Sequence, residues 1–153
     1  MANELLIVAG PPGGGKSRWI RDQLSDRPRL ILIDYTRIFA AVTGEERDPE
    51  TGRYPIRQTG DPRLAFAAAV FYQAVERAAF TGREGFVTTA KPESIDRLKE
   101  IGNTNRVRII DPGEAVARQN LDDLYRDLGY TPDECTGALA GWYESSARRW
   151  ELR

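Results

Sequence analysis

The stretch LLIVAGPPGGGKSRWI, residues 5–20, constrains this chain more than any other. An apolar run is followed at once by Gly10, Pro11, Pro12, Gly13, Gly14, Gly15, Lys16 and Ser17, which fit G-x-x-x-x-G-K-[ST] at each fixed position. Such a loop folds between a buried strand and a helix, because its backbone N–H groups must curl toward one point with no Cβ in the way. The helix behind it aims its positive end at the same point. The pattern predicts a triphosphate site: residues 10–15 cradle phosphate oxygens, Lys16 reaches the β and γ phosphates, and Ser17 takes one position on Mg²⁺. ATP is the expected nucleotide, and GTP stays open.

The rest of the chain alternates short β-rich runs with longer helical ones, which predicts an α/β domain with a mainly parallel, four-stranded sheet and helices on both faces. At 153 residues, 41% of them hydrophobic, it has the size of one domain around one core. Strands are expected at 4–9, 29–34, 86–89 and 107–110, each a continuous apolar run as doubly covered strands are. Helices are expected at 16–24, 35–42, 62–80 and 92–101, the last ending at Gly102 as its C′ residue. The Ala-rich helix 62–80 carries apolar residues around much of its circumference and is expected to be largely buried. Asp111, Pro112 and Glu114 read as N-cap, N1 and N3 of another helix, and Thr131-Pro132-Asp133-Glu134 repeats that logic. The final helix carries Leu139, Trp142, Tyr143 and Trp150, aromatics that read as core packing rather than a base-stacking surface. Residues 43–61 are polar, without apolar period; a substrate cover and a solvated insertion both suit them.

Composition removes several chemistries. With 22 basic and 23 acidic residues the net charge is −1, so bulk electrostatics favour neither nucleic acid nor membrane, and a polyanion must be met by a local patch. The chain has no histidine, which excludes imidazole bases and His-metal sites and leaves base chemistry to a carboxylate. A single cysteine, Cys135, permits no internal disulfide and no cysteine zinc cluster, and fits a reducing compartment. The first apolar run is too short for a signal core or a membrane span, so a cytoplasmic location without membrane partner is expected.

The second strand bears on what receives the phosphate. LILID ends in Asp34, with Arg37 three residues on. Ligands of α/β sheets bind outside the carboxyl ends of the strands, so Asp34 is expected beside the phosphate loop. There it can accept the proton of an attacking hydroxyl while Arg37, one turn along the next helix, orients or neutralises an acceptor phosphate. Asp34 equally suits the N-cap of the helix from Tyr35, and the two roles are compatible.

The loop GPPGGGKSRW, the D-Y-T-R pair Asp34 and Arg37, EERD at 45–48 and RIIDPGEAVARQN at 108–120 together resemble the bacteriophage-type polynucleotide 5′-hydroxyl kinases, within the P-loop kinases. The resemblance spans residues 4–147 and implies a three-layer P-loop kinase-like fold over the single domain 1–153. It implies that Lys16 and Ser17 bind ATP and metal, that Asp34 activates a nucleic acid 5′-hydroxyl, and that Arg37 contacts the acceptor's phosphate. Arg118 occupies the place of a lid arginine, although a solvated helix position describes it as well. Asp122 stands where a second lid arginine is expected, and Arg126 follows one turn later. Arg53 and Arg57 of the polar segment are candidate substrate contacts. Thr88 and Thr89 stand where many P-loop proteins carry a metal-binding aspartate, leaving Ser17 as the metal ligand and Asp111 as a remoter candidate or a plain cap. Two other functions remain compatible with the sequence. One is a small-molecule kinase, zeta-toxin-like or antibiotic-kinase-like; the other is an ATP-binding accessory protein with no acceptor, such as a phage assembly factor.

Overall fold

A computed structural model of the chain describes residues 4–145. Four strands, β1 (Leu5–Ala9), β2 (Ile31–Ile33), β3 (Gly85–Thr89) and β4 (Val107–Ile109), form one sheet in the order β2-β3-β1-β4. Every neighbouring pair is parallel. Six α-helices alternate with them among the described residues: α1 (Lys16–Asp26), α2 (Tyr35–Thr43), α3 (Arg63–Phe80), α4 (Ile95–Ile101), α5 (Glu114–Leu124) and α6 (Asp133–Glu144).

The side-chain alternation of the strands divides the core into two layers. Leu5 and Ile7 of β1, with Ile33 and Val87, pack against Phe71 and Val75 of α3 and Leu98 of α4. Val8, flanked by Leu6, faces the other way with Phe86 onto Ile20, Trp19 and Leu24 of α1. Both sheet faces are thus covered, the arrangement in which strands carry apolar residues without interruption. A smaller cluster joins α5 to α6 through Ala117, Leu121, Tyr125 and Leu139. Trp142 of α6 is fully buried beside Ala9 and Ile95, so the aromatics of α6 pack as core; Trp150 lies outside the described residues. No helix among the described residues is long and apolar enough to cross a membrane.

Several expected boundaries move. β2 is shorter than 29–34, because Arg29 is exposed and Asp34 leaves the ladder to cap α2. The segment 92–101 is a 3-10 turn, Pro92–Ser94, running into α4. Gly102 is not a left-handed C′ residue: its φ is −78°, and Asn103, at 48°, takes the positive value instead. Space explains the glycine, since a Cβ there would lie 2.8 Å from the Leu98 carbonyl oxygen. Helix α3 buries Ala67, Phe71, Val75 and Ala78 along one stripe, while Phe66 and Phe80 are 61% and 79% exposed. It is therefore covered on one side rather than largely buried. Asp111 is not an N-cap either. Gly113, at φ 98°, caps α5, with Glu114 as its first residue. α6 begins one residue later than the capping pattern suggests, with Pro132 at the cap and the Thr131 hydroxyl donating to Asp122. The segment 44–62 carries no helix or strand, as its polar sequence predicts.

Candidate functional site

The glycine-rich loop joins β1 to α1 at the carboxyl edge of the sheet. Gly13 and Gly15 adopt φ of 74° and 93°, and Gly15 is the N-cap of α1, which no side chain of the described residues caps. Alternating left- and right-handed backbone turns successive N–H groups inward, so the loop is a concavity for an anion at a helix N-terminus. Backbone oxygens of neighbouring elements account for Gly10 and Gly13, and the positive φ for Gly15. A Cβ on Gly10 would meet the Ile110 carbonyl oxygen at 2.1 Å, and one on Gly13 the Ala117 carbonyl oxygen at 2.5 Å. Three further bonds fix the loop in place: Gly10 N–H to Thr89 O (3.1 Å), Gly14 N–H to Pro11 O (3.0 Å), and Asn120 Nδ2 to Gly13 O (2.8 Å).

Lys16 folds back over this loop, its ammonium donating to the carbonyl oxygens of Gly10 (2.5 Å) and Pro11 (3.0 Å). Burial pulls its pKa down to about 8, opposed by the charge of Asp34. β2, which leads into Asp34, is not a neighbour of β1. The intervening strand makes the link. Thr88, buried near the end of β3 and paired with Val8 of β1, donates its hydroxyl to Asp34 Oδ1 at 2.6 Å. Asp34 Oδ2 accepts the Arg37 N–H at 3.0 Å, so the carboxylate also caps α2. Both sequence-derived roles of Asp34 are geometrically open at once. Ser17 lies exposed in the first turn of α1. Among the described residues no group of three His, Cys, Asp or Glu gathers into a metal cage.

The arginines divide into two sets. Arg37 is exposed on α2, one turn from Asp34. Arg118 is exposed on α5 and paired with Glu114 at 3.1 Å; Arg126 sits in a 3-10 turn after α5, paired with Asp123. Arg53 and Arg57 are instead engaged inside the chain. Arg53 makes a two-pronged pair with Asp127 (2.6 and 2.8 Å) and stacks over Tyr125. Arg57 binds Glu134 through both its N–H and its Nε, each at 3.0 Å, and bonds Thr36 while lying over Tyr35. These contacts pin the polar segment 44–62 across α2, the turn after α5, and α6.

Asp111 also has a place the sequence did not reveal. Its carboxylate accepts from the Gly113 N–H (2.9 Å), Trp142 Nε1 (3.1 Å) and the Tyr143 hydroxyl (2.5 Å), tying the start of α5 to α6. The partners lie some thirty residues away, so neither they nor Asp127 and Glu134 could be matched to their arginines or acids by local pattern. Asn120 lies within the motif 108–120, but nothing in that motif indicates that its amide holds Gly13.

No family model matches the sequence. No curated protein matches it either. Among solved structures, a chain in the structure of the Pnkp1/Rnl/Hen1 RNA repair complex is similar with a TM-score of 0.72 and 11% identity, covering 99% of this chain and 46% of that one. This chain thus spans about half the length of that neighbour. A candidate kinase from Chloroflexus aurantiacus J-10-fl is similar with a TM-score of 0.55 and 13% identity, covering 90% of this chain and 76% of the other. At such identities the likeness is one of fold, and the fold is the P-loop kinase-like one: a parallel sheet with helices on both faces and a glycine-rich loop after its first strand.

Proposed function

We propose that this chain is a phosphotransferase of the P-loop kinase type, one domain across residues 1–153, that moves the γ-phosphoryl group of ATP to a hydroxyl, the acceptor being the 5′ end of a nucleic acid strand. The observation that carries the reading is the Asp34 carboxylate held on both oxygens, one of them by Thr88 of the strand whose Thr89 carbonyl also anchors Gly10 of the glycine-rich loop. A carboxylate tied through one strand to the phosphate-binding loop serves a transferase, which must deprotonate an alcohol. In this reading the acceptor oxygen attacks the γ phosphorus, its proton passes to Asp34, and the bond to the β,γ-bridging oxygen breaks to release ADP. The loop 10–15 and Lys16 hold the triphosphate. Ser17, with phosphate oxygens and water, holds Mg²⁺, which supplies charge neutralisation when bound.

Arg37 takes the acceptor's phosphate, being exposed one turn from the base. Arg53 and Arg57 shape the acceptor side through the segment they pin against Asp127 and Glu134. Arg118, supported by Arg126, lends its guanidinium to the transferring group from α5. A nucleic acid acceptor is supported by the resemblance to bacteriophage-type polynucleotide kinases and by the RNA repair neighbour, whose fold matches nearly the whole chain. Incubation with γ-labelled ATP and a 5′-hydroxyl oligonucleotide tests the reading. Label on the strand supports it; label on a small hydroxyl compound moves the acceptor to a metabolite or drug; free phosphate alone reduces the chain to a nucleotide-hydrolysing accessory protein.

A further inference from the structure

We infer that Thr88 is a positioning residue for Asp34: its hydroxyl, rather than an acid, aims the carboxylate at the acceptor. The inference rests on the reading of Asp34 as the base. An ionised carboxylate only accepts hydrogen bonds, so in the contact at 2.6 Å the hydroxyl of Thr88 is the donor. That length belongs to the short, charge-assisted class of O–H···O⁻ bonds. The second oxygen is fixed independently by the Arg37 N–H. A planar group held at both oxygens by two elements, β3 and α2, has lost its freedom to rotate, and its remaining lone pairs point in a fixed direction.

Thr88 is well suited to this task. Its strand lies between β1 and β2, so its carboxyl end separates the phosphate loop from Asp34. Its neighbour Thr89 accepts the Gly10 N–H at its carbonyl, so the strand that aims the carboxylate also anchors the loop. An aspartate at position 88 would place a second negative charge within hydrogen-bonding distance of the first, forcing one of them to keep a proton. A threonine donates a proton without adding charge, and its β-branch restricts χ1, which keeps the hydroxyl on target.

The test compares steady-state transfer from γ-labelled ATP to a 5′-hydroxyl oligonucleotide by the parent chain, Thr88→Val, Thr88→Ser and Asp34→Asn, with ATP-induced thermal stabilisation measured on each. Thr88→Val keeps the shape and removes the donor. It is expected to lower kcat by about 10- to 100-fold, the order lost when a catalytic group is misplaced by about an ångström, with KM for ATP and the thermal shift unchanged. Thr88→Ser restores the donor and is expected to recover most of the rate. Parental kcat in Thr88→Val, or a serine variant as slow as the valine one, overturns the inference, as does loss of the ATP-induced shift in both, which would make the residue structural. Full transfer by Asp34→Asn, or none by the parent chain, overturns instead the reading on which it stands.

Discussion

Lys16 donates its ammonium to the carbonyl oxygen of Gly10 at 2.5 Å, closing the glycine-rich loop upon its own first residue. One side chain therefore shapes the loop and supplies its positive charge. Replacing it by alanine removes both functions. Lys16→Ala is expected to abolish the thermal shift caused by ATP, whereas Asp34→Asn keeps that shift and loses transfer by at least ~10²-fold, the usual worth of a positioned base. Differential scanning fluorimetry beside the labelled-transfer assay reads both.

The same lysine predicts a pH dependence. Burial lowers its pKa to about 8, so in the free protein the ammonium is lost progressively above that pH. A bound triphosphate favours the charged form, so binding takes up a proton above pH 8 and none well below it. Affinity for ATP is expected to be level below about pH 7.5 and then to fall by up to about tenfold per pH unit above 8. Calorimetry in buffers of differing ionisation enthalpy, at pH 7 and 8.5, checks the proton count.

Gly10→Ala tests whether the loop tolerates any side chain at its root. The added Cβ would meet a backbone oxygen, Ile110 O, at 2.1 Å, and this oxygen lies just past the end of β4. Relief requires a shift of strand or loop, with an expected cost of about 1–3 kcal/mol from overpacking. Urea denaturation and ATP binding should both suffer.

Arg57→Ala should release the polar segment. The guanidinium holds Glu134 and Thr36 and covers Tyr35, while the comparable Arg53 pair with Asp127 lies nearer to solvent on its acid side. Limited trypsin digestion is expected to cut within 44–62 faster in Arg57→Ala than in the parent, and KM for the acceptor to rise more than KM for ATP. Equal digestion rates would mean that the segment is held by other contacts.

Trp142→Ala tests the joint between α6 and the sheet. Its ring is fully buried against Ala9 and Ile95, and its Nε1 donates to Asp111. A loss of about 3–5 kcal/mol is expected, as for other buried aromatic truncations, read as a lowered midpoint in chemical denaturation.

Sequence order governed what could be foreseen. The strand, loop and helix of residues 5–26 are legible because the G-x-x-x-x-G-K-S pattern and the apolar run before it are contiguous in sequence, and the capping of α2 by Asp34 is legible for the same reason, although the neighbours that demand Gly10 and Gly13 are not. The alanines of α3 make its apolar stripe look wider in the sequence than it is in the fold; Phe66 and Phe80 fall outside the buried stripe. Around Asp111, the local Asp-Pro-Gly-Glu pattern suggested a cap, while Trp142 and Tyr143 from α6 supplied the partners that decide its place. Thr88 could be noticed as a missing acid, but its partner is 54 residues away and follows a strand whose position only the folded sheet defines.

The strand order has a consequence for biosynthesis. β1 and β2 are made first, yet they share no ladder; each needs β3, which starts at Gly85. A growing chain therefore carries the glycine-rich loop and Asp34 while neither strand has its neighbour β3 to pair with. Closing the long excursion that precedes β3 carries an entropic cost before any contact repays it. The loop and Asp34 thus share one sheet edge only once β3 stands between the strands that lead into them.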